Sequence, residues 1–150
     1  MAGYSGRSLA DKLGIKPGDR VRTIGAPKDY KRLVSPLPAK ATIAATGGRG
    51  DLFHLFVRRR TILESELRRL RPSIPEAAPV WVSWPKKASG VETDVTEDVI
   101  RAVALPLGFV DVKVCAVDYV WSGLKLVIRV CERSLTALRP GGARRYTSSS

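Results

Sequence analysis

Histidine occurs once in these 150 residues and cysteine twice, and that scarcity removes whole classes of chemistry. A lone imidazole, His54, cannot build a histidine-cluster metal site, and Cys115 and Cys131 form no C-x-x-C pair. His54 is therefore either the single candidate for an imidazole base or a satisfied histidine beside the core. Cys115, inside the apolar run 112–117, reads as a small core residue. No apolar run approaches the roughly 18 residues that a membrane span needs, and Met1-Ala2-Gly3-Tyr4-Ser5-Gly6-Arg7 lacks the apolar stretch of a secretory signal. The expectation is a cytoplasmic protein with no membrane partner.

Familiar catalytic templates are missing too. Gly47-Gly48-Arg49-Gly50 has neither the lysine nor the hydroxyl residue of a phosphate-binding P-loop and reads as a flexible turn, and there is no G-x-S-x-G elbow. Glu97 and Asp98 are adjacent on a helix, about 100° apart, so they cannot work on one substrate as acid and base. Their simplest role is to complement a helix amino end.

Acidic residues are few: 14 Asp and Glu stand against 26 Lys and Arg, a net charge of +12. From Arg129 onward five arginines against one glutamate account for +4 of it, which leaves +8 for the body. A body this basic favours an acidic partner such as nucleic acid or a phosphorylated metabolite. At 44% hydrophobic residues the chain can bury one core. The domain is expected over 1–130, followed by a basic tail over 131–150, too poor in apolar residues to fold and able to strengthen nucleic-acid contact.

Periodicity predicts alternating elements. A helix over 8–13 stops at Gly14, a strand follows over 20–24, and a weak helix over 29–34 is closed by Pro36 and Pro38. Strands are predicted over 41–45 and 52–57, then a helix over 62–71 with Leu63, Leu67 and Leu70 along one stripe. Next come a strand over 80–84, a helix over 95–104, and two strands, 111–117 and 124–130, expected to pair antiparallel. The alternation argues an α/β protein, a Rossmann-like open sheet with helices on both faces. The short link between the second and third strands requires either a very short second strand or an antiparallel pair.

Two of these strands, 51–57 and 78–84, run into basic clusters and then into runs of capping-box form. Arg58, Arg59 and Arg60 precede Thr61-Ile62-Leu63-Glu64, while Lys86 and Lys87 precede Asp94-Val95-Thr96-Glu97. Cations beside a helix amino end are unfavourable unless an anion arrives. Ser89 and Gly90 permit a tight turn and Thr93 with Asp94 starts the helix, so Arg58, Arg59, Arg60, Lys86, Lys87, Ser89, Gly90 and Thr93 form a candidate anion site at the carboxyl ends of the strands. Trp81 and Trp84 face opposite sides of their strand, so one is core while the other, taken as Trp84, could wall the site.

The runs Leu13-Gly14-Ile15-Lys16-Pro17-Gly18-Asp19-Arg20-Val21, Ile24-Gly25-Ala26-Pro27, Trp84-Pro85-Lys86-Lys87-Ala88-Ser89-Gly90, Gly108-Phe109-Val110-Asp111-Val112-Lys113 and Trp121-Ser122-Gly123-Leu124-Lys125-Leu126 resemble an uncharacterised bacterial family of small proteins. Its layout is similar to a trimmed class I S-adenosylmethionine-dependent methyltransferase with a closing strand pair. That likeness implies a cofactor turn at Gly25 and an acidic residue at the end of the second strand. Here the turn, Gly25-Ala26-Pro27, has one glycine and then a proline, and the strand ends Ala44-Ala45-Thr46 with no carboxylate. These departures lead to the expectation of a small anionic or phosphorylated ligand bound without a cofactor and without methyl transfer. The alternatives are a divergent S-adenosylmethionine-dependent methyltransferase and a basic accessory protein of nucleic acid.

Overall fold

The computed structural model describes residues 8–46 and 49–129. The expected basic tail, 131–150, lies outside the described residues, as do Gly47 and Gly48 of the glycine-rich turn.

Local chemistry fixes the first turn of chain. The Ser8 side chain accepts from the amide of Asp11, opening α1 (Leu9–Leu13), and Gly14 ends it in the left-handed region at φ 84°. Then come β1 (Arg20–Ile24), α2 (Tyr30–Leu33), β2 (Thr42–Ala44), β3 (Leu52–Phe56), α3 (Arg60–Leu70) and β4 (Val80–Pro85). A 3-10 turn (Lys87–Ser89), α4 (Glu97–Ala104), a second 3-10 turn (Leu105–Leu107), β5 (Phe109–Ala116) and β6 (Trp121–Ile128) complete the described chain.

All six strands form one sheet in the order β2-β1-β3-β4-β6-β5. The first four are parallel, and β6 runs antiparallel between β4 and β5. β2 spans three residues, roughly 10 Å at the usual rise, which resolves the short link in favour of a very short strand. It does not pair with β3 at all, because β1 lies between them.

β3 and β4 are buried along their whole length, as strands covered on both faces should be. One face packs Leu63, Leu67 and Leu70 of α3 and Ile100, Val103 and Ala104 of α4 against Phe53, Leu55, Val80, Val82 and Trp84. The other packs Ala10 and Leu13 of α1 and Tyr30 of α2 against Val21, Leu52, Phe56 and Trp81. The two tryptophans do face opposite sides, and both are core. Trp81 is 0% exposed with its indole N–H donating to the Leu13 carbonyl at 2.9 Å, so truncation to Ala should cost about 3–5 kcal/mol.

Three sequence expectations give way to tertiary contacts. α3 opens at Arg60, with Arg59 as its N-cap and no side-chain cap, so Thr61 lies inside the helix and its capping box does not form. α4 is capped by Thr96, whose hydroxyl accepts from Val99, and Asp94 is used elsewhere. β5 and β6 begin at Phe109 and Trp121, and Cys115, on the edge strand, is half-buried rather than core. Among the described residues no helix is long and apolar enough to cross a membrane.

Candidate functional site

After β1 the chain turns to α2 and β2 on one side of the sheet, and β3 lies on the other. Open α/β sheets bind ligands at the carboxyl ends of strands around such a reversal. A pocket of about 560 Å³ lies there. Its walls are Arg22, Thr23 and Ile24 of β1, the turn Gly25-Ala26-Pro27-Lys28, and Tyr30 and Lys31 of α2. Ile43 from β2, Ala45 just after it and Arg69 from α3 close it.

Gly25 sets the shape of this turn. Its φ is 72°, and a Cβ added there would stand 2.9 Å from the Phe56 carbonyl oxygen, so the turn presses against β3 in a way only glycine permits. Proline two residues on does not disturb this, because Pro27 lies beyond the close approach and its carbonyl accepts from the Tyr30 amide at the start of α2. A single glycine thus performs the approach for which several were expected.

The lining charge is of one sign. Arg22, Lys28, Lys31 and Arg69 contribute cations, and no carboxylate lines the pocket. Arg69 is held by Glu66. The Nε of Arg22 is buried without a hydrogen-bond partner, and Lys28 and Lys31 make no ion pair among the described residues. Such a group favours an incoming anion, since an unmade hydrogen bond at a buried charged atom is costly.

Beneath Tyr30 runs a buried relay. The Tyr30 hydroxyl and His54 Nδ1 are 2.9 Å apart, and His54 Nε2 and Ser83 Oγ 2.7 Å. Burial pushes the His54 pKa down to about 3, so the ring is neutral, and pushes the Tyr30 phenol up. Three protons serve two hydrogen bonds, so one donor is left over at the Tyr30 or the Ser83 end. His54 is thus the satisfied core histidine of the two alternatives, stacked on Phe56 with ring centroids 4.3 Å apart.

The basic clusters named from sequence meet at the same edge, because β3 and β4 are parallel neighbours in register from Phe53↔Val80 to Phe56↔Ser83. Their helix start is sealed from within. The Asp94 carboxylate accepts from the Arg60 amide at 2.7 Å, supplying the anion the α3 amino end calls for. The Thr93 hydroxyl donates to the Arg58 carbonyl at 2.8 Å, Arg59 stands 3.9 Å from Glu92, and Arg60 bonds Glu64 at 3.0 Å. Lys86 and Ser89 form a turn in which the Ser89 hydroxyl donates to the Lys86 carbonyl at 2.6 Å, with Gly90 left-handed after it. Trp84 is buried in the core with α3 and α4. The side chains of Arg58 and Lys87 are exposed.

Sequence reasoning missed Arg22, Lys28, Lys31 and Arg69. Three of them crowd the Gly25 turn in the sequence, and that local run of cations was the available signal.

No protein-family model matches the chain, and no curated protein matches it. Solved structures do share its fold. A SAM-dependent methyltransferase from Aquifex aeolicus aligns with 81% of this chain and 88% of its own at TM-score 0.59 and 11% identity. An O-methyltransferase from neocarzinostatin biosynthesis, in complex with S-adenosylmethionine, aligns at TM-score 0.58 and 13% identity over 83% of this chain and 51% of its own. Magnesium protoporphyrin IX methyltransferase from Synechocystis, with bound SAM, gives TM-score 0.53 and 13% identity over 81% and 76%. The fold is that of the class I methyltransferases, a Rossmann-like sheet closed by the antiparallel β4-β6-β5 set. These likenesses overturn the expectation of an anion binder without methyl transfer and favour its alternative. That expectation rested on the poverty of glycine after β1 and on the missing carboxylate after the second strand, and the geometry of Gly25 answers the first.

The pocket has a close-approach turn and apolar walls that could take an S-adenosyl group, and it departs from the class I methyltransferase pattern in one respect. Ile24, Ala26 and Ile43 offer apolar surface for a purine, and Lys28 and Lys31 suit an amino-acid carboxylate. No carboxylate stands at the end of β2 for the ribose hydroxyls.

Proposed function

We propose that this protein is a divergent S-adenosylmethionine-dependent methyltransferase that takes its cofactor in the pocket after β1. The observation that carries the reading is the Gly25 turn, pressed against the Phe56 carbonyl at the sheet reversal of a methyltransferase-type strand order. When bound, the cofactor supplies an electrophilic methyl group on a sulfonium sulfur. The chain's own residues do the holding. Gly25 and Ala26 let the backbone come close, Ile24 and Ile43 exclude water from the purine, and Lys28 with Lys31 orients the carboxylate. Tyr30, fixed by neutral His54, supports the pocket floor without changing charge across the physiological range.

Calorimetry of the full chain with S-adenosylhomocysteine tests this. A one-to-one complex at micromolar affinity is expected, lost in Gly25→Val. Absence of any heat or thermal shift at millimolar ligand would overturn the reading.

A further inference from the structure

β1, β3 and β4 are parallel neighbours, so the segments that follow them share one edge of the sheet. Lys28 and Lys31 follow β1, Arg58 follows β3, and Lys86 and Lys87 follow β4. At about 4.8 Å per strand, this row crosses roughly 10 Å. None of these five cations makes an ion pair among the described residues. The neighbouring carboxylates are already engaged: Asp29 with Arg32, Glu92 with Arg59, and Asp94 with the α3 amide.

An aromatic ring stands at the end of the row. β6 pairs antiparallel with β4 as far as Pro85↔Trp121, which brings the turn before β6 to the same edge, and the Lys86 amide donates to the Val120 carbonyl. Tyr119 in that turn is 94% exposed, more than any other large apolar or aromatic side chain among the described residues. A cation track with an exposed aromatic beside it is the combination that holds single-stranded nucleic acid, cations following the phosphates and the ring stacking a base. A single phosphate group would use one end of the row and leave the ring idle.

We propose that the carboxyl edge, from Lys28 and Lys31 through Arg58 to Lys86, Lys87 and Tyr119, is a docking track for single-stranded nucleic acid. The track goes beyond the methyltransferase reading and does not depend on it.

The test is fluorescence anisotropy of the full chain with labelled single strands of about 12 nucleotides, oligo(rU) and oligo(dT), over a range of salt. Arg58→Ala, Lys86→Ala and Lys87→Ala combined, which spare the lysines of the cofactor pocket, should flatten the slope of log affinity against log salt by about 2, since each phosphate contact on a single strand contributes about 0.7. Lys16→Ala, in the turn before β1, should leave the slope unchanged. Tyr119→Ala should weaken binding roughly fivefold or more, and Tyr119→Phe should not, because stacking needs only the ring. Inorganic polyphosphate should bind without regard to residue 119. An unaltered slope in the triple variant, or equal binding by Tyr119→Ala, overturns the track. Loss of the track with intact S-adenosylhomocysteine binding leaves the enzyme reading standing, and the reverse result removes the enzyme reading alone.

Discussion

Two places along the carboxyl edge of the sheet concentrate positive charge, and they differ in where the opposing charge comes from. At the start of α3 the chain supplies it: Asp94 caps the Arg60 amide, Glu64 holds Arg60, and Glu92 faces Arg59. At the pocket after β1 it does so only for Arg69, held by Glu66, for no carboxylate lines the wall and the Arg22 Nε is buried without a hydrogen-bond partner. Clustered cations are therefore a weak guide to a ligand site until their internal partners are known. The pocket is the place where the lining cations outnumber the carboxylates that hold them.

Gly25 offers the sharpest way to break this contrast. Gly25→Val forces a branched side chain into the left-handed region and against the Phe56 carbonyl, and should cost about 3 kcal/mol in urea unfolding. Gly14→Ala has the same backbone sign but nothing within 4 Å of the added carbon, and should cost about 1 kcal/mol. Equal costs would show that the turn does not press on β3.

Acid probes the pocket floor. His54 is held neutral by burial with a folded pKa of about 3, whereas the unfolded chain takes up a proton near 6.5. The unfolded state binds more protons between these values, so stability is full above 6.5 and falls as pH drops, by up to about 1.4 kcal/mol per unit. Between pH 6.5 and 5 the loss should approach about 2 kcal/mol in urea titrations, and a flat profile would contradict the buried relay.

Asp94→Ala probes the sealed site. Removing the cap from the Arg60 amide should destabilise the protein by about 1 kcal/mol and leave S-adenosylhomocysteine binding unchanged. Altered ligand affinity with unchanged stability would reverse the assignment of the two regions.

The smallest effect concerns the ligand's own charge. A pocket lined by Arg22, Lys28, Lys31 and Arg69 opposes a sulfonium, so S-adenosylhomocysteine should bind roughly five to ten times more tightly than S-adenosylmethionine in competition calorimetry. Lys28→Ala with Lys31→Ala should narrow that ratio.

What the sequence made legible was local or periodic. The stop at Gly14, the β1 limits and the opposite facing of Trp81 and Trp84 depend on residues a few positions apart. The α/β class followed from alternation, and the length of one link left β2 either very short or antiparallel, of which the structure takes the first. What was hidden depends on distance in the chain. Asp94 caps a helix 34 residues earlier, so its own run looked like a capping box for α4. The His54 relay joins three elements, with Tyr30 and Ser83 24 and 29 residues away. The pocket is hidden because its close approach to β3, which lies about 30 residues on, needs one residue without a side chain rather than a glycine-rich run.

The most direct test of the account is amide chemical-shift mapping with S-adenosylhomocysteine on the isotopically labelled full chain. Saturating ligand should move the amides of Gly25, Ala26, Lys28 and Ala45 while those of Arg60 and Val95, in the sealed site, stay in place. Shifts confined to Arg60 and Val95, or no shift at either place, would contradict it.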